Sequence, residues 1–152
     1  MSFGYQVLGF GSGGSPSFII ATGGSPCAGT ISGDYKIHTF TGPGTFCVSG
    51  VSGCAANNIV SYMVVAGGGS GGADNSGGGG AGGFREVKSP VDSYSASPLD
   101  GSGTPANVIT VSASPYSITV GGGGAGAPSP TGPTGAYADG ANSVFSTITS
   151  AG

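Results

Sequence analysis

Short apolar runs rich in β-branched and aromatic residues alternate along this chain with stretches built of glycine, serine and proline. No window repeats apolar residues at i, i+3, i+4 and i+7 beyond a single turn, so no amphipathic helix is expected. Strands are expected at residues 4–10 and 18–21. Residues 35–40 and 45–49 flank Thr41-Gly42-Pro43-Gly44, which predicts a hairpin with turn chemistry in the right place. The largely apolar segment at 59–65 (IVSYMVV) reads as a buried strand. Residues 107–111 and 116–120 flank Ser112-Ala113-Ser114-Pro115 and predict a second hairpin. Residues 143–148 read as one last strand. The expectation is an all-β, sandwich-like antiparallel domain with glycine-rich loops projecting from one end.

Those loops dominate the composition: 35 of the 152 residues are glycine. One tract holds Gly67, Gly68, Gly69, Gly71 and Gly72. A second holds Gly77, Gly78, Gly79, Gly80, Gly82 and Gly83. A third holds Gly121, Gly122, Gly123, Gly124 and Gly126. Glycine is costly to order, so structured runs of it imply a gain from close backbone approach. Collagen needs glycine at every third position, and only Gly132-Pro133-Thr134-Gly135 briefly fits. Two conformations stay open. The tracts are flexible linkers, or they are left-handed, polyproline-II-like helices packed side by side. Such helices have no internal hydrogen bonds, so their N–H and C=O groups must pair between tracts. On either reading these glycines are the candidate assembly residues.

Charge narrows the function. Only 6% of residues are charged, against about 25% in typical domains. The net charge is −3, and the basic side chains are Lys36, Arg85 and Lys88. With no basic patch, nucleic-acid binding is not expected. No run approaches the roughly 20 apolar residues of a membrane span, and the first residues lack the basic start of a signal peptide. Cys27, Cys47 and Cys54 form no even framework. Cys47 and Cys54 flank a short turn and are spaced to pair; the plainer expectation is three partly buried thiols.

No catalytic, cofactor or metal residue is expected. Residues 9–14 and 67–72 match GxGxxG, but no helix N-terminus follows to hold a pyrophosphate. His38, the sole histidine, has no partner at zinc-ligand spacing and reads as a strand residue making a cross-strand contact. Asp74-Asn75 reads as a turn at a loop tip. Arg85-Glu86 reads as a surface pair of small weight, with capping of glycine-tract carbonyls by Arg85 as the alternative. Tyr94, Tyr116 and Tyr137 read as packing residues, with carbohydrate stacking as the alternative.

Several segments, in order, carry a family likeness. Residues 35–46 (YKIHTFTGPGTF), 62–69 (YMVVAGGG), 77–85 (GGGGAGGFR), 118–126 (ITVGGGGAG) and 141–149 (ANSVFSTIT) resemble a glycine-rich domain of bacteriophage structural proteins. The likeness covers residues 34–152. It implies a virion structural protein: a fibre, spike or decoration component exposed on the particle and aiding host attachment, with packed polyglycine-II helices. It implies assembly in the host cytoplasm and contacts with other virion proteins and with a host surface glycan or protein. Symmetric homo-oligomers are common, and a homotrimer is expected. Residues 1–33 lie outside the likeness and are expected to anchor the domain. In the family the last strand leads into another glycine run, whereas here Ser150-Ala151-Gly152 follows it; the expectation is a shortened member or a fragment of a longer fibre. A free glycan- or ice-binding module and a structural coat protein are the alternatives, and an enzyme is not expected.

Overall fold

The structure is a computed structural model that describes residues 18–72, 77–126 and 137–152. The expected strand at 4–10, the first GxGxxG match, the Asp74-Asn75 turn and the brief collagen-like stretch lie outside these residues. The described chain is all β apart from two short 3-10 turns. Its strands are β1 (Ile20–Thr22), β2 (Thr30–Ser32), β3 (Tyr35–Ile37), β4 (Gly44–Gly50), β5 (Tyr62–Val65), β6 (Phe84–Val87), β7 (Pro115–Thr119), β8 (Ser143–Phe145) and β9 (Ile148–Ser150). A five-stranded sheet runs β1-β4-β7-β8-β9, and β2-β3 and β5-β6 form two-stranded ladders. Every one of these pairings is antiparallel. No helix among the described residues is long and apolar enough to cross a membrane.

Neither expected hairpin forms. Strand β3 pairs with β2, with Ser32 opposite Tyr35. Gly33, at φ +58°, begins the two-residue turn between them, as a type II′ turn requires. This short closure competes well with the longer 41–44 turn, and β4 already has β1 on one edge and β7 on the other. Residues 107–111 likewise join 58–60, through Val60 N–H to Ile109 O (3.1 Å) and Val111 N–H to Asn58 O (2.8 Å). Strand β7 is filled on both edges by β4 and β8, so no edge remains for them there.

The last expected strand is a hairpin instead, folded at Ser146-Thr147 with Ser146 at φ +55°. Phe145 and Ile148 are three apart, so a continuous strand would send them to opposite faces. Folding back sets them directly opposite each other, and both are buried. The 59–65 run is not a fully buried strand either. Strand β5 pairs only with β6, and Met63 and Val65 on its outer face are 66% and 50% exposed.

The core gathers Ala21, Val48, Ile109, Val111, Phe145 and Ile148, with Phe46, Tyr62, Val64 and Tyr116 packed around it. Phe145 is its centre. Phe46, Tyr62 and Tyr116 meet its ring edge-to-face, with centroids at 6.2, 5.7 and 6.3 Å. Strand β5 packs on β8 and β9, which places the start of the first glycine tract beside the main sheet. Strand β1 pairs with β4, and β2 with β3, so residues on either side of position 33 share ladders.

The thiols depart from expectation: all three cysteines are free and exposed. Cys47 lies between the inward Phe46 and Val48 on β4, so strand alternation turns it outward.

Polar side chains tie the irregular segments. Asn58 accepts from Ser52 N–H (2.7 Å) and donates to Ser52 O (2.9 Å). The Asp100 carboxylate accepts from Lys88 N–H, Ser102 N–H and the Ser102 hydroxyl. These bonds, the Ser102 hydroxyl foremost, hold the Asp100 carboxyl below its ordinary 3.8. A depressed folded pKa gives a contribution that is full above the ordinary value and is lost as pH falls through the lowered one. The Lys88 and Ser102 amide resonances should therefore titrate together with a midpoint below 3.8. A midpoint above it would sink this account of the loop.

Candidate functional site

The glycine tracts are neither strands nor isolated loops. They hydrogen-bond to one another around the tract that follows β5. Along that tract the N–H groups of Ala66, Gly69 and Gly72 donate to Gly83, Gly80 and Gly77 (2.9, 3.0 and 3.1 Å). Those of Gly67 and Ser70 donate to Ala141 and Ala138 (3.0 and 2.9 Å), and the carbonyl of Gly68 accepts from Gly124 N–H (2.8 Å). Two of these sets of partners therefore recur at every third residue, a third neighbour is met once at Gly68, and the tract has three different neighbours. A β-strand offers two neighbours and a repeat of two. As the partner numbers fall while the central numbers rise, 77–83 and 138–141 run antiparallel to it.

Outer tracts are joined too. Ala141 N–H reaches Gly122 O (2.9 Å), and Gly83 N–H reaches Ala151 O (2.7 Å). Side chains close the ends: Gly121 N–H donates to the Ser143 hydroxyl (2.9 Å), and Ala138 N–H to the Ser70 hydroxyl (2.9 Å). The extended chain has no internal bonds, so these contacts are what satisfies its polar groups.

The expected assembly glycines divide by what surrounds them. A Cβ on Gly67, Gly79, Gly82, Gly121 or Gly124 would lie 1.8–2.2 Å from a backbone oxygen of an adjacent tract. Gly68 and Gly83 are also tight, at 2.9 and 2.6 Å. Gly69, Gly71 and Gly123 would make ordinary contacts, and Gly77, Gly78, Gly80, Gly122 and Gly126 face open space. Gly72 enters only through its bond to Gly77. The alanines in the tracts agree with this division, since Ala81 and Ala125 are exposed. Sequence reasoning missed one of the three neighbours, residues 138–141. Gly140 there would place a Cβ 2.0 Å from Gly67 O, but a single glycine flanked by alanine, aspartate and asparagine carries no tract signal.

Other singled-out residues lie apart from the bundle. His38 is outside any strand; its Nδ1 bonds Gly23 O at 2.8 Å, and its ring meets Phe46 edge-on at 5.2 Å. The expected cross-strand role is thus replaced by a loop-to-loop tie. Glu86 bonds Ser97 through both its N–H and its hydroxyl, while Arg85 is exposed. Tyr116 packs in the core with its hydroxyl accepting from Ser112 N–H at 2.7 Å. Tyr94 meets Tyr35 edge-on at 6.2 Å, and Tyr137 is 72% exposed. Among the described residues no group of three His, Cys, Asp or Glu could hold a metal.

A family model described as a glycine-rich domain matches residues 39–152. That span contains all the interlocked tracts. No curated protein and no solved structure matches the chain significantly.

Proposed function

The chain belongs to the glycine-rich domain family, and on that premise we propose that it is an assembly protein of a bacteriophage particle, a fibre, spike or decoration component. The tracts act as a small bundle of polyglycine-II helices and give the domain a rigid end without a large apolar core. The observation that carries this reading is the three-residue hydrogen-bond repeat of the central tract with three neighbours, the repeat of a polyproline-II-type helix. The phage setting rests on the ordered likeness of residues 34–152 to glycine-rich virion domains.

Outer tracts offer the means of assembly. Gly77, Gly78 and Gly80 are exposed with nothing near their Cβ positions. A tract of a second copy could continue the lattice there, with a symmetric homotrimer as the proposed state. The function is tested by labelling phage particles with an antibody raised against residues 39–152 and imaging them by electron microscopy. Label at a symmetric vertex, tail or fibre supports the reading. Particles without label, with the chain found only as a free monomer, would overturn it.

A further inference from the structure

We propose that Asp139-Gly140 is a modification site, where the chain converts without an enzyme to an isoaspartyl linkage and so loosens one neighbour of the central glycine tract. This inference rests on the geometry of the bundle and is independent of the phage reading. The sequence holds two Asp-Gly steps, Asp100-Gly101 and Asp139-Gly140. The backbone nitrogen after an aspartate can attack its carboxyl, and a following glycine, lacking a Cβ, leaves that nitrogen uncrowded. The fold treats the two steps oppositely. At the first, Gly101 N–H donates to Glu86 O (2.8 Å), and the Asp100 carboxylate is held by Lys88 N–H, Ser102 N–H and the Ser102 hydroxyl. At the second, Asp139 is exposed, and among the described residues its carboxylate, its C=O and Gly140 N–H all lack a hydrogen-bond partner. That C=O and N–H belong to one peptide group, which can turn without breaking a bond. The anchors lie on either side of it, Ala138 O to Ser70 N–H and Ala141 N–H to Gly122 O.

The chemistry needs only water. The Gly140 nitrogen attacks Asp139 Cγ: the N–Cγ bond forms, the Cγ–OH bond of the carboxyl breaks, and the amide proton leaves with that hydroxyl as water. The product is a succinimide ring. Water then adds to the Asp139 main-chain carbonyl carbon and breaks its bond to the Gly140 nitrogen, which takes a proton. A carboxylate now stands at the old main-chain carbon, and the backbone runs through Cβ and Cγ. The water lost in the first step is regained in the second, and nothing is oxidised or reduced. The backbone is longer by one C–C bond, about 1.5 Å, against a rise of roughly 3.1 Å per residue in a polyproline-II-type helix. Ala138 and Ala141 bond Ser70 and Gly67, so the two segments are matched residue for residue. The added length cannot keep both bonds in register. Gly140 has no room to take it up, since its Cβ position is already 2.0 Å from Gly67 O.

The test is to age the full chain at neutral pH for weeks, one sample folded and one unfolded in urea. Each is then digested with a protease that cuts before aspartate but not before isoaspartate. In the folded sample the cut at Asp139 should be lost roughly tenfold or more faster than the cut at Asp100, because freeing Asp100-Gly101 breaks four hydrogen bonds. In urea the two cuts should be lost at similar rates. The aged parent should melt about 2 °C or more below the fresh one. Asp139→Glu keeps the charge but requires a larger ring that closes more slowly, so its aged and fresh samples should melt alike. Equal rates at the two steps in the folded sample, faster loss at Asp100, or the same preference for Asp139 in urea would overturn the proposal. So would a converted parent that melts with the fresh one, or an aged Asp139→Glu chain that falls as far as the parent.

Discussion

Gly121→Ala should destabilise the domain by about 3 kcal/mol or more, while Gly122→Ala, one residue on, should leave it intact or slightly more stable. A Cβ on Gly121 would lie 1.8 Å from Ala141 O and 2.8 Å from Asn142 O. Both are backbone atoms, so no side chain can swing aside. Ala141 O is also the acceptor for Gly67 N–H, and Ala141 N–H donates to Gly122 O. Moving residue 141 to make room therefore breaks bonds to two tracts at once, among them that of the buried Gly67 N–H. Gly122 has nothing within 4 Å of its Cβ position, and its φ lies outside the left-handed region. Alanine there mainly restricts the unfolded chain, worth about 0.4–1 kcal/mol. Thermal unfolding followed by circular dichroism should show Gly121→Ala lowered by about 6–12 °C or more, at roughly 2–4 °C per kcal/mol for a chain this size. Equal, small effects at both positions would mean that the tracts are loose loops.

Phe145→Ala should cost about 3–5 kcal/mol, the range for emptying a buried phenylalanine site. Phe145 is 8% exposed and is the ring on which Phe46, Tyr62 and Tyr116 converge. Strand β8 supplies it, so its loss loosens the contacts of β4, β5 and β7 together. The partners are held by their own bonds, among them Tyr62 O–H to Asn107 O at 2.6 Å, so the site collapses poorly. Against a total of about 5–15 kcal/mol for ordinary domains, this change removes a large share. Urea unfolding should show the midpoint fall sharply, whereas Met63→Ala on the exposed face of β5 should change stability by less than about 0.5 kcal/mol. Comparable losses at Met63 and Phe145 would misplace the core.

The division between glycines 121 and 122 was invisible in the sequence, where the two are identical neighbours. Composition located the tracts and left open whether they were flexible linkers or packed helices that need outside hydrogen-bond partners. It did not show which partners, because a bare backbone carries no side-chain pattern from which to read a register. Residues 138–141 entered the bundle unannounced for the same reason: their role depends on where β8 delivers them, not on their own composition.

The sequence by itself determined that the chain is β, where most strands begin, and that the charged chemistry is sparse. Alternating β-branched and aromatic runs bounded by glycine and proline are local signals, and local signals survive without the rest of the fold. Only the tertiary structure decided strand partners. The hairpin at 35–49 lost to a shorter turn at Gly33 and to the neighbours already flanking β4, and the 143–148 strand folded because Phe145 and Ile148 had to face one core. Pairing is a competition among edges distant in sequence, and so is the packing of glycine tracts; neither is settled until every competing edge has been placed.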